Sequence, residues 1–78
     1  MLHSREDYNR FLSQDPSGKI HPEEPVFLIR AQDVVSGDAV RAWAELHERA
    51  RGSLELARSA REHAAKMDAW PQKKLADL

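Results

Sequence analysis

The chain contains no cysteine, so disulfides and thiolate metal sites play no part in its structure. Its four histidines, His3, His21, His47 and His63, are scattered, and no two have the i, i+4 spacing of a helical metal site. An excess of one charge is also missing. Twelve basic residues against thirteen acidic ones leave a net charge of −1, which argues against a binder of duplex nucleic acid. No run approaches the roughly 18 apolar residues of a membrane span, and residues 1–20 lack the apolar core of a signal peptide. The expected compartment is therefore the cytoplasm, with no membrane partner. Glycine is scarce, at three residues, and none forms a phosphate-cradling loop. The serines show no nucleophile elbow, and no paired carboxylates stand on a defined scaffold. The expectation is a protein that is not an enzyme and uses no cofactor. At 78 residues the chain is near the lower limit for an independent core. Chains of this size take a disulfide, a metal or a partner chain as a supplement, and here self-association is the one left.

What is present reads as one domain over residues 1–78. Ser4-Arg5-Glu6-Asp7 has the pattern of a helix start, with Ser4 as cap and Asp7 reaching back. A helix is expected over 4–14, with Tyr8, Phe11 and Leu12 on one side. Asp15-Pro16-Ser17-Gly18 carries strong turn chemistry and opens a loop over 15–25. Val26-Phe27-Leu28-Ile29 is a short apolar run, and 26–31 is expected to be a buried strand or an extended strut. Lys19-Ile20-His21, or the same strand of another copy, would be its pairing partner.

Two helices are expected next, over 37–51 and 53–70. The first has Ser36 as cap and a stripe of Val40, Trp43, Leu46 and Ala50. Gly52 would take the left-handed closing conformation. Ser53 would cap the second, whose stripe is Leu56, Ala60, Ala64, Met67 and Trp70. Ala57, Ala60 and Ala64 allow close approach, and both tryptophans are assigned to the core. Glu45–Arg49 and Glu62–Lys66 are helical ion pairs in the favourable order. Pro71 begins a basic tail over 71–78. The fold class is mostly α: an N-terminal helix, one short extended or β segment, and a C-terminal antiparallel helical hairpin.

Residues 24–33 are the place to look for a site. Arg30, Gln32 and Asp33 stand where an extended segment gives way to a helix, whose free amides favour anions. A guanidinium and an amide there suit a phosphate or a base edge, and Asp33 suits a sugar or amine. The plainer reading pairs Arg30 with Glu23, Glu24 or Asp33 and uses Asp33 as a helix cap. Lys73 and Lys74, after Trp70, offer a second anion contact, or else form a solvated tail. Tyr8 suits stacking on a nucleotide, or a place in the core. His47 and His63 read as partly exposed helix residues rather than metal ligands.

Glu24-Pro25-Val26-Phe27-Leu28-Ile29-Arg30-Ala31-Gln32-Asp33, followed by Val40-Arg41-Ala42-Trp43 and Met67-Asp68-Ala69-Trp70-Pro71-Gln72-Lys73-Lys74, resembles a family of small phage and prophage accessory proteins. The resemblance covers about two thirds of the chain. It implies a viral, non-enzymatic protein acting in the host cytoplasm, either a sponge for nucleotide immune signals (an anti-defence role) or an inhibitor of a host protein. The leading expectation is a homo-oligomer that sequesters a nucleotide-like anion through Arg30, Gln32, Asp33, Lys73, Lys74 and Tyr8. The alternative is a protein-interaction module.

Overall fold

Alanine sets the geometry of the helical hairpin. The computed structural model describes residues 2–12 and 19–77. Its two long helices, α2 (Ser36–Arg49) and α3 (Leu54–Asp68), pack against each other, and no other pair of helices is in contact among the described residues. Their buried faces hold Ala44, Ala57 and Ala64, each with no exposed surface, together with Gly37 and Met67. Side chains this small let the backbones approach closely. Arg41 pairs with Asp68 at 2.7 Å, and Glu48 pairs with Arg61. Both pairs share one register, which fixes the helices as antiparallel. The Arg41 guanidinium, hydrogen-bonded to Asp68 and also to Asp38, holds the Asp68 carboxyl below its usual range. Arg61 does the same for Glu48.

The alanine contact corrects the expected core. Trp43 is 46% exposed and Trp70 52% exposed, so neither fills the interior. A gap set by alanine has no room for an indole, and both rings lie at the flanks. The inward faces are also turned from the expected stripes. Ala44 lies inside while Leu46 lies outside, and Ala57 lies inside while Leu56 is half exposed. Of the two expected helical ion pairs, Glu45–Arg49 forms at 2.7 Å and Glu62–Lys66 is not among the ion pairs of the described residues.

Helix ends follow local chemistry with two exceptions. Ser53 caps α3, its side chain accepting from the Leu56 amide, as expected. Ser36 is not a cap: it begins α2, is fully buried, and donates its hydroxyl weakly to the Ala31 carbonyl at 3.4 Å. At the turn, Arg51 and not Gly52 takes the left-handed conformation, with φ of 62°. Gly52 is required for space instead, because a Cβ there would stand 2.3 Å from the His47 ring. The left-handed region costs a side-chain-bearing residue more than glycine. Arg51→Gly should therefore gain about 0.5–1 kcal/mol, after glycine's extra freedom in the unfolded chain is subtracted. The melting temperature should rise by a few degrees. Thermal circular dichroism checks this, and an unchanged or lowered midpoint would contradict it.

The N-terminal part carries one short helix and a two-residue strand pair among the described residues. Helix α1 runs over Glu6–Leu12 and packs on β1 (Leu2–His3). β1 pairs in parallel with β2 (Pro25–Val26), Leu2 opposite Pro25 and His3 opposite Val26. The strand thus covers two residues, the rest of the run to Arg30 is extended without a strand partner among the described residues, and the pairing segment within the chain is Leu2–His3 rather than Lys19-Ile20-His21. Phe27, at 69% exposed, shows that the run is not buried on both faces. Asp7 takes the Arg5 guanidinium at 2.8 Å instead of reaching back to Ser4. The expected Asp15-Pro16-Ser17-Gly18 turn and the Phe11 and Leu12 side chains lie outside the described residues. No helix among the described residues is long and apolar enough to cross a membrane.

Candidate functional site

The segment that leads into α2 is held in place from the C-terminal tail. The Lys74 amide donates to the Gln32 carbonyl at 2.8 Å, and the Val34 amide donates to the Lys74 carbonyl at 3.0 Å. Together they form a parallel bridge at Asp33 and Lys74. The Asp33 amide donates to the Arg30 carbonyl, closing a turn, and Asp33 Oδ1 accepts from the Val35 amide at 3.0 Å. Asp33 therefore supplies the anion at the start of α2, much as its plainer reading expected, though the residue before the helix is Val35. Its second carboxylate oxygen has no donor among the described residues.

These ties bring the expected site residues together. Tyr8, Arg30, Gln32, Asp33 and Lys74 line one cleft, joined by Arg5. They come from three separate segments: α1, the approach to α2, and the tail. Tyr8 is buried, and the Arg5 guanidinium lies 4.3 Å from the centre of its ring. Lys74 pairs with Asp77 at 3.1 Å, and Arg5 pairs with Asp7. Arg30 is exposed and has no carboxylate partner among the described residues; its expected pairing with Glu23, Glu24 or Asp33 does not form. The cleft is narrow, about 40 Å³, which suits a phosphoryl-sized group and not a whole nucleotide. Arg30 and Gln32 also form the wall of a second, open groove of about 300 Å³ beside Trp70.

Lys73 is the one expected site residue that points elsewhere. Its ammonium donates to the Ala31 carbonyl at 2.7 Å and to the Met67 carbonyl at 2.5 Å, tying the end of α3 to the approach segment. The tail is thus anchored, not simply solvated. Adjacent residues of an extended chain point to opposite sides, so one lysine reaches the cleft and the other the helix end. Arg5 is the site residue that sequence reasoning missed. Its signal was a place at the expected helix start, three residues before Tyr8, from which its guanidinium reaches the Tyr8 ring.

His47 and His63 stay apart from this site. His47 stacks on Trp43, with ring centres 4.7 Å apart and planes 18° from parallel, and its Nε2 is enclosed without a partner among the described residues. His63 borders a different, apolar groove. Among the described residues no group of three histidine, aspartate or glutamate side chains could hold a metal. No family model matches the chain, and no match is found among curated proteins or solved structures.

Proposed function

We propose that this is a non-enzymatic binding protein that takes up a small nucleotide-like anion and sequesters it, acting as a homo-oligomer. The observation that carries the reading is the convergence of Tyr8, Arg30, Gln32, Asp33 and Lys74 on one cleft, with the Arg30 guanidinium free of carboxylates among the described residues. A guanidinium offers a phosphate two parallel N–H donors, and Lys74 adds a second cation at the same place. Gln32 can donate to and accept from a base edge, and the open oxygen of Asp33 can accept from a ribose hydroxyl. The groove lined by Trp70 shares Arg30 and Gln32 with the cleft, so the base would have an aromatic face to stack on. A role in neutralising nucleotide immune signals follows from the resemblance to phage accessory proteins, and it would need only stoichiometric binding.

Calorimetry of the full chain against cyclic and ADP-ribose-derived nucleotides tests the reading. At least one should bind, and Arg30→Ala should weaken it by about 10- to 100-fold, the loss of one charge-assisted contact of about 1.5–3 kcal/mol. Circular dichroism should be unchanged, because Arg30 is exposed and holds no other element. Chromatography after denaturation should return the nucleotide intact. Absence of heat with every member of the panel would sink the proposal. The second reading, a module that inhibits a host protein, draws on the apolar groove bordered by Trp43 and Met67.

A further inference from the structure

We propose that the cleft takes its ligand by a terminal phosphomonoester, in preference to a phosphodiester or a cyclic phosphate. The inference rests on the anion-binding reading above and narrows it to one class of phosphate.

Three features of the cleft match a phosphate held to the rest of its ligand by a single ester bond. The first is charge. Arg5, Arg30 and Lys74 bring three positive charges to the lining and Asp33 one negative charge, a surplus of two in a chain whose net charge is −1. A phosphomonoester carries about −1.5 to −2 at neutral pH, whereas a diester or a cyclic phosphate carries a single negative charge. The second is the number of acceptors. A monoester presents three terminal oxygens and a diester two. The cations come from three separate stretches of chain, ahead of α1, on the approach to α2 and in the tail, and all three border one cavity, one for each oxygen. The third is size. A cavity of about 40 Å³ suits one phosphoryl group, and the groove of about 300 Å³ that shares Arg30 and Gln32 gives its one substituent room. A diester must place a second substituent among the cations.

Carboxylates already at the site sharpen the preference. Asp7 holds Arg5 at 2.8 Å, and Asp77 holds Lys74 at 3.1 Å. The two carboxylates are 51% and 74% exposed, and ion pairs so open to water are weak enough to be exchanged. A monoanion would only replace one carboxylate by an equal charge. A dianion gains on the exchange, because its charge is concentrated on one group and faces Arg30 as well. The Tyr8 ring, 4.3 Å from the Arg5 guanidinium, keeps that cation at the cleft while its carboxylate is exchanged.

Calorimetry of the full chain tests this with the four ribonucleoside 5′-monophosphates and their 3′,5′-cyclic forms. Members of each pair share base and sugar and differ in one ester bond. At least one monophosphate should bind, and its cyclic form should bind about 10- to 100-fold more weakly, the loss of one charge-assisted contact. Lys74→Met keeps its backbone ties to Gln32 and Val34 and should leave circular dichroism unchanged. It should narrow the ratio between the two forms by about 3- to 10-fold, since the dianion loses more than the monoanion. A lysine that served only the structure would weaken both forms alike. Cyclic or pyrophosphate-bridged nucleotides that bind as tightly as every monophosphate, or a ratio unmoved by Lys74→Met, would overturn the inference and leave the sequestration reading standing. No heat with any nucleotide, the ADP-ribose-derived ones included, would overturn both.

Discussion

Ala64→Leu is expected to lower the melting temperature by about 5–20 °C, a large effect for a single change in the hairpin. Ala64 has no exposed surface, and neither do Ala44 and Ala57 on the same inter-helix contact. Three added carbons have no void to enter, so the helices must separate or the leucine must leave its rotamer. Overpacking of this kind costs about 1–3 kcal/mol. A domain of this length holds only about 4–12 kcal/mol in total, and each kcal/mol moves its midpoint by about 4–8 °C. Separation would also pull at the Arg41–Asp68 and Glu48–Arg61 pairs, which bridge the same two helices. Thermal circular dichroism measures the change. Leu54→Ala is the contrast: Leu54 is exposed, and its loss should change stability by no more than about 0.5 kcal/mol. An Ala64→Leu protein that melts with the wild type would mean that the helices do not meet through this alanine.

The second large effect separates two adjacent lysines. Lys73→Met keeps the apolar stem but removes the donor to the Ala31 and Met67 carbonyls. Charge-assisted bonds of this sort contribute about 1–2 kcal/mol after discounting for solvent at the exposed one. The midpoint should fall by about 5–10 °C. Anion binding should weaken as well, because Ala31 lies between Arg30 and Gln32 and its anchor is lost. Lys74→Met should behave differently. The ties of Lys74 to Gln32 and Val34 are backbone bonds, which survive the change, so stability should hold while affinity drops. Denaturation and calorimetry on the two variants give the comparison. Equal loss of stability in both would contradict an anchoring role for Lys73 alone.

The sequence by itself determined the features that depend on near neighbours. Both long helices begin and end within about two residues of expectation, because their apolar repeats and the Ser53 cap act over one turn. The Glu45–Arg49 pair is local in the same sense, and so is the placing of Arg30, Gln32 and Asp33 ahead of a helix start. Which face of each helix turns inward was not local. Trp43 and Ala44 are neighbours about 100° apart on the helix, and either can face a partner. The partner decides, and α3 presents Ala57 and Ala64, which admit alanine and exclude indole. The left-handed residue was likewise misplaced by one position: Arg51 takes it, while Gly52 is needed because the His47 ring leaves no room for a Cβ. Only the tertiary structure joined Leu2–His3 to Pro25–Val26 and Lys74 to Gln32 and Val34, contacts between residues far apart in the chain. The absence of cysteine excluded disulfides on composition alone. That Trp43 is left outside, at the border of a groove, was decided by the alanine contact between the two helices, which has no room for an indole.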